Sequence, residues 1–465
     1  MVLGTIIGQL LVIISSPVLT RLYTPEDFGI FAIYVSIYSF ITIVSSLRYE
    51  LAIPLPKLDA TAWSIIVLSL TLVAITVAST GGGVFIFGND FVAILNTPAF
   101  EPYLWLLPIG ILIGGSHKIF NFWMLRKKTF RVIAVARVFQ GGGMSLFQIV
   151  LGFFQLSSLG LIIGHIMGFF MGLILFIKAA VKSNDMKIRQ VKLSNVKSVS
   201  KRYSDFPKYS TWSDMLNVFG TQFPMLLIAS LYTPVAAGLY LLANRVANAP
   251  VALVAESVGK VFMAEAVSVR GGRKLPVLSL NVFRALLRIG LGPLIMIAIV
   301  APELFGIIFG EKWIEAGLYL QLMTPWVASV FIFVPLMSLY VVLELQRVEL
   351  KFQILIFITR IVGLLIGASM GGAIYAIFVY SICAAVAYTM CGLWVLNNAG
   401  VKYKSLIGSF TYELIFIFFL GAILLFIKDV LLLDQLIIFL VAIALGVTSI
   451  YRAKSILIKI TNSEI

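Results

Sequence analysis

The chain reads as an all-α membrane protein of about fourteen transmembrane helices, arranged as two parallel six-helix repeats followed by two further helices. Three observations predict this. Of its 465 residues 60% are hydrophobic and 12% charged, with mean hydropathy +1.05, which is more apolar surface than a water-soluble core can hide. Apolar runs of about 17 to 25 residues, each long enough to cross a hydrocarbon layer, recur along the whole length. Finally, Leu22-Tyr23-Thr24-Pro25 with Gly29 returns as Leu231-Tyr232-Thr233-Pro234 with Gly238, each copy in a tight turn between two apolar runs. A transmembrane β-barrel would need short strands alternating apolar and polar residues, and these runs are continuous and too long.

Taken in order, the first six helices fall near 2–19, 28–46, 62–87, 103–123, 132–153 and 159–177. The first run lacks a small-residue cleavage pattern and is followed at once by another span, so it reads as a retained helix. The glycine runs 81–83 and 141–143 lie inside spans and imply close helix packing. A second set follows near 212–230, 235–256, 282–309, 317–342, 352–369 and 371–396, and a final pair near 408–427 and 431–450. Cys383 and Cys391 lie on one helix about 12 Å apart, too far to bridge, and read as packing residues.

The two sets correspond. Pro17 and Pro224 each precede their Leu-Tyr-Thr-Pro turn by about two helical turns, Pro108 matches Pro325, and Arg137 and Arg360 are each followed by glycines. Prolines inside spans remove a backbone hydrogen bond and can kink the helix, so Pro17 and Pro224 are candidate hinges, with ordinary packing kinks as the equal alternative. The expected organisation is a lobe over 1–177, a basic linker over 178–211, a second lobe over 212–396, and two extra helices with a tail over 397–465. Six is even, so the repeats enter the membrane with the same polarity, as in transporters that rock two lobes about a midplane site.

Most of the 35 Lys and Arg residues fall on one side of this topology, with only Arg21, Lys312 and Lys428 in loops on the other. Basic loops resist translocation, which puts both termini in the cytoplasm. The net charge of +15 is thereby explained by membrane side, without any nucleic-acid recognition module. The basic block over 178–208 joins the repeats and could also rest on anionic lipid headgroups.

Charge inside a span is costly and is a functional hypothesis by default. Arg284, Arg288, His117 and Lys118 lie near span ends and read as snorkelling residues. Arg245, flanked by Asn244 and Asn248, sits near the middle of helix eight, with Glu256 further along almost the same face. Arg360, with Gln353 seven residues before it, and Arg137, sharing a face with Gln148, complete a set of three buried cations. Asp214, Glu256 and Glu413 are the few acids available to pair with them or to couple transport to an ion. A cationic interior suits a phosphate or diphosphate headgroup, because a guanidinium gives forked hydrogen bonds to its oxygens. For any single arginine, internal pairing that locks helices is an equal reading. His165, alone on an apolar helix, reads as packing. No nucleotide-binding loop, metal cluster or catalytic constellation is legible, so neither cofactor nor metal is expected.

The stretch RLYTPEDFGIFAIY from Arg21, the segment Arg48-Tyr49-Glu50-Leu51-Ala52-Ile53-Pro54, and GLYLLANRVANAP around Arg245 resemble bacterial oligosaccharide flippases of the Wzx type. Those form the polysaccharide transporter branch of the multidrug/oligosaccharidyl-lipid/polysaccharide (MOP) superfamily. The resemblance implies a MOP-like pair of lobes in the bacterial inner membrane. It also implies transport of undecaprenyl-diphosphate-linked oligosaccharide repeat units for O-antigen, capsule or exopolysaccharide synthesis, with membrane lipids, a polysaccharide polymerase and a chain-length regulator as partners. Relatives usually carry a short basic segment before helix one, and this chain opens at Met1-Val2-Leu3-Gly4, so a start further upstream is expected. The expected mechanism is alternating access, the diphosphate meeting Arg245, Arg137 and Arg360 with Asn248 and Gln353 nearby. Rivals are a multidrug or peptidoglycan-precursor exporter of the same fold, or a membrane enzyme of polysaccharide assembly. The enzyme would need paired groups on a sizeable external loop, and the longest such connection, near 88–102, offers only Asp90 and Glu101.

Overall fold

The computed structural model describes residues 2–182, 193–272, 274–429 and 435–461. Among these residues all regular secondary structure is helical, and the chain divides into two compact units, 1–241 and 242–465. The division falls inside one long helix.

The first unit contains α1 (Val2–Leu22), α2 (Pro25–Val44), α3 (Asp59–Ile94), α4 (Leu106–Arg126), α5 (Phe130–Phe153), α6 (Ser157–Lys182), the short α7 (Leu193–Arg202), α8 (Thr211–Leu231) and the start of α9 (Pro234–Ser268). The Leu-Tyr-Thr-Pro string forms a helix start in both copies. Thr24 is the N-cap of α2 and Pro25 its first residue, where a missing N–H removes nothing the helix uses. Asp27 completes a capping box: its amide donates to Thr24 Oγ1 at 3.2 Å, and the Thr24 amide donates to its carboxylate at 2.9 Å. In the second copy the Ala236 amide donates to Thr233 Oγ1 at 3.2 Å, and α9 begins at Pro234. Tyr23 is fully buried, and its hydroxyl donates to the Gln148 carbonyl at 2.7 Å, which ties this turn to α5.

Small residues set the helix spacing. A side chain on Gly141 would meet the Gly8 carbonyl oxygen at 2.3 Å, so α1 and α5 pack backbone to backbone. The other glycine run behaves differently. Nothing lies within 4 Å of the Cβ positions of Gly82 and Gly83, so the close packing expected there is absent. Hydropathy marks a span as apolar but not which of its faces meets protein.

The second unit holds the rest of α9 and then α10 (Lys274–Ile299), α11 (Ala301–Phe309), α12 (Ile314–Phe333), α13 (Leu339–Val342), α14 (Gln346–Ser369), α15 (Ala373–Asn398), α16 (Tyr403–Asp429) and α17 (Gln435–Thr461). Two expected spans are broken. The run read as 282–309 is α10 followed by α11, with Pro302 in the first turn of the new helix. The run read as 317–342 ends as a regular helix at Phe333, and Pro335 diverts it through a 3₁₀ turn into α13. Pro325, the matched proline, stays inside α12, and the amide of Trp326 beside it donates to Ser381 Oγ at 3.2 Å.

The repeat is visible in the packing. In the first unit α3 packs on α4, α4 on α6 and α5 on α6; in the second α10 packs on α12, α12 on α15 and α14 on α15. The last two helices, α16 and α17, both pack on α10. Fourteen of the described helices run for 20 residues or more, and ten stretches satisfy both length and hydropathy for a membrane span.

Candidate functional site

In the first unit, the chain leaves α2 through Leu47 and Arg48, both in the left-handed region with φ of 48° and 61°. Non-glycine residues there are uncommon and are held by their surroundings. The kink turns the following 3₁₀ turn, Tyr49–Ala52, inward and leaves Glu50 with no exposed surface. Its carboxylate accepts from Ser46 Oγ and lies 3.2 Å from Lys118 Nζ of α4 and 3.3 Å from an Arg48 nitrogen. Arg48 also bridges Asp214 at the start of α8. Two cations and two anions thus join the α2–α3 connection to α4 and α8. Lys118 does not snorkel. A buried carboxylate is available, and pairing with it recovers part of what desolvation costs.

Arg137 of α5 is half-buried, and its Nε is buried without a hydrogen-bond partner among the described residues. His117 is buried against Phe169 and Phe176, with ring centroids 5.2 Å and 5.1 Å away, so it does not snorkel either. His165 stands among Phe31, Tyr34, Tyr38 and Phe169, all within 5.8 Å by centroid, which is the packing role expected.

In the second unit, Arg245 lies on α9 with Asn248 one turn on, and Asn248 Nδ2 donates to the Asn244 carbonyl at 3.0 Å. Arg360 of α14 is buried; its Nε donates to the Tyr380 hydroxyl at 2.8 Å, and its guanidinium lies 5.2 Å from the Trp326 ring and 5.1 Å from the Tyr380 ring. Gln353, on the same helix, is exposed. Glu413 is 3% exposed and takes Arg288 at 2.8 Å and Arg452 at 3.1 Å. The side chain of Glu256 lies outside the described residues. The structure therefore sets Asn248 against Asn244, Asp214 beside Arg48, and Glu413 beside Arg288, while Arg137 belongs to the first unit and Arg245 and Arg360 to the second. Pro17 and Pro224 both sit inside uninterrupted helices.

The residue that sequence reasoning missed is Glu50. Its one linear signal is an acid held between Arg48 and the apolar Leu51-Ala52-Ile53 directly after a span, and its burial depends on Lys118 from another helix.

A further recess of about 460 Å³ in the second unit is apolar, walled by Leu291, Pro325, Ile332, Thr389 and Phe410 among others. Helices of this length, polar groups inside the bundles and an internal repeat define a multi-pass membrane protein. The chain aligns with a structure of the lipid II flippase MurJ in an inward closed conformation, with TM-score 0.74 and 14% identity over 98% of this chain and 97% of that one. It also aligns with an inward-facing multidrug resistance MATE family transporter of the MOP superfamily, with TM-score 0.68 and 14% identity over 84% and 94%. A MATE crystal structure follows with TM-score 0.55 and 14% identity over 86% and 94%. No curated protein sequence matches the chain. The family model for polysaccharide biosynthesis proteins matches residues 18–317, and the chain belongs to that family.

Proposed function

We propose that the protein flips undecaprenyl-diphosphate-linked oligosaccharide repeat units across the bacterial inner membrane by alternating access, for assembly of a surface polysaccharide. The observation that carries this reading is the coincidence of a polysaccharide biosynthesis family match over 18–317 with a transporter fold. Arg245 is the first candidate for the diphosphate, since it is a guanidinium well inside the long helix α9, and Asn248 one turn on, its amide turned to Asn244, is the second polar group there. Arg137, with its buried Nε, is the second. Arg360 is held by Tyr380 and Trp326, so its share in binding is tied to movement of that pair. The apolar recess between α10, α12, α15 and α16 suits part of a polyprenyl chain. Both termini lie in the cytoplasm in this reading, polymerase and chain-length regulator take over the product outside, and the protein itself makes or breaks no bond.

The test is transport by the purified protein in vesicles, offered three substrates: a fluorescent polyprenyl-diphosphate oligosaccharide, lipid II and a cationic drug. Selective movement of the first supports the proposal. Movement of lipid II or the drug alone would assign the protein to one of the exporter roles instead.

A further inference from the structure

A second recess, this one cationic, is lined by none of the arginines assigned to the diphosphate. It has a volume of about 300 Å³ and is built in the second unit from one face of α10, carrying Arg284 and Arg288 one turn apart, and one face of α16, carrying Ser405, Gly408, Ser409 and Glu413. Arg452 of α17 reaches the same carboxylate as Arg288 and stacks 3.7 Å from the Phe416 ring centroid. Among the described residues Glu413 is thus the one carboxylate against three guanidiniums. It is already taken by two of them, and Arg284, half-buried, donates its Nε to Ser409 Oγ at 2.9 Å and meets no carboxylate among the described residues.

An ion-pair lock between helices would balance its charges and fill its volume. This recess does neither. Nothing lies within 4 Å of the Cβ position of Gly408, so its floor is open. Arginine and hydroxyl donors around an open floor with surplus positive charge are the chemistry of phosphate-oxyanion recognition. The source of the phosphate is indicated by the surroundings. On α16 itself Ile407, Ile415, Phe418 and Phe419 are strongly exposed, and Tyr412 at the rim is exposed as well, as expected of a helix facing lipid with an aromatic at the headgroup level. The charge distribution of the sequence places this end of α10 and α16 at the cytoplasmic leaflet, where anionic lipids concentrate.

We propose that Arg284 and Arg288, with Ser409, bind the phosphate of an anionic glycerophospholipid in the cytoplasmic leaflet, and that Glu413 and Arg452 hold the site in shape. The proposal is independent of which substrate is transported.

The test is native mass spectrometry of the full chain in detergent, titrated with phosphatidylglycerol and, separately, phosphatidylcholine. Phosphatidylglycerol should bind about tenfold tighter, because phosphatidylcholine's trimethylammonium cation would face the surplus guanidinium charge. Arg284→Gln, which leaves both Glu413 pairs intact, should remove that preference. Gly408→Leu removes no charge but fills the floor, and it should do the same if Arg284→Gln fails to fold. An unchanged preference in a variant that melts like the parent would overturn the site, as would no preference in the parent. Millimolar inorganic phosphate should fail to displace the lipid; displacement by it would overturn the lipid assignment and give the site to soluble phosphate.

Discussion

Gly29 and Gly238 occupy reciprocal positions: a Cβ on Gly29 would lie 1.7 Å from the carbonyl oxygen of Pro234, and one on Gly238 would lie 1.8 Å from the carbonyl oxygen of Pro25. Both pairs fall within residues 1–241. The duplicated Thr-Pro-x-x-x-Gly spacing is therefore a matched helix crossing. Each proline starts a helix, and the glycine one turn later admits the other helix's first carbonyl. Gly29→Ala and Gly238→Ala should each destabilise the protein by about 1–3 kcal/mol or more, because the obstructing atom is backbone and cannot rotate away. Gly82→Ala, with open space around it, should be neutral or stabilising. Melting curves of the three variants check this.

Removing the carboxylate of Glu50 leaves the half-buried Lys118 without its ion-pair partner, while Arg48 keeps Asp214. Glu50→Gln should cost about 3–5 kcal/mol. Adding Lys118→Met should recover part of that loss, since the uncompensated charge goes with it. Asp214→Asn, at a partner that is one-third exposed, should cost under about 1 kcal/mol. A double-mutant cycle on unfolding free energies reads all three.

Arg360 is gripped by shape as well as charge. Arg360→Lys keeps the cation but cannot reproduce the planar contact with Trp326 and Tyr380, and a loss of about 1–2 kcal/mol is expected. Tyr380→Phe should lose less, because the ring survives and only the hydroxyl acceptor goes. If instead Arg360→Lys melts like the parent while transport fails, Arg360 belongs to the substrate and not to the helix packing.

Outside the spans, Arg270 Nη1 donates to Glu344 at 2.8 Å and holds that carboxyl below its ordinary value, first through the hydrogen bond and then through charge. The pair is complete above the ordinary carboxylate range and is lost as pH falls through the lowered value. Arg270→Gln should return the Glu344 titration to about 4.5, read by carboxyl NMR of labelled protein.

The helices were legible because a bilayer demands continuous apolar runs, which a linear scan detects directly. Their interruptions at Val300 and Pro335 were less legible, since the hydropathy continues across both breaks and only the prolines mark them. Facing was not legible at all: Gly82 and Gly141 sit in similar apolar strings, yet one is open and the other touches the Gly8 backbone. Among the charged residues, Arg137, Arg245 and Arg360 stand out in the sequence by their depth in apolar runs alone. Glu50 does not, because its burial arises from a left-handed kink and from a lysine on another helix. Arg284 and Arg288 were visible as charges near a span end, but the recess they line needs α16 beside them.

The proposed contact of Arg245 with the diphosphate of a lipid-linked oligosaccharide is read from the rate at which a fluorescent polyprenyl-diphosphate oligosaccharide in the inner leaflet of reconstituted vesicles becomes accessible to an external reductant. The parent protein should expose the inner-leaflet pool, and Arg245→Glu, inserted and melting like the parent, should leave it protected. Parental rates in Arg245→Glu would remove Arg245 from the transport site.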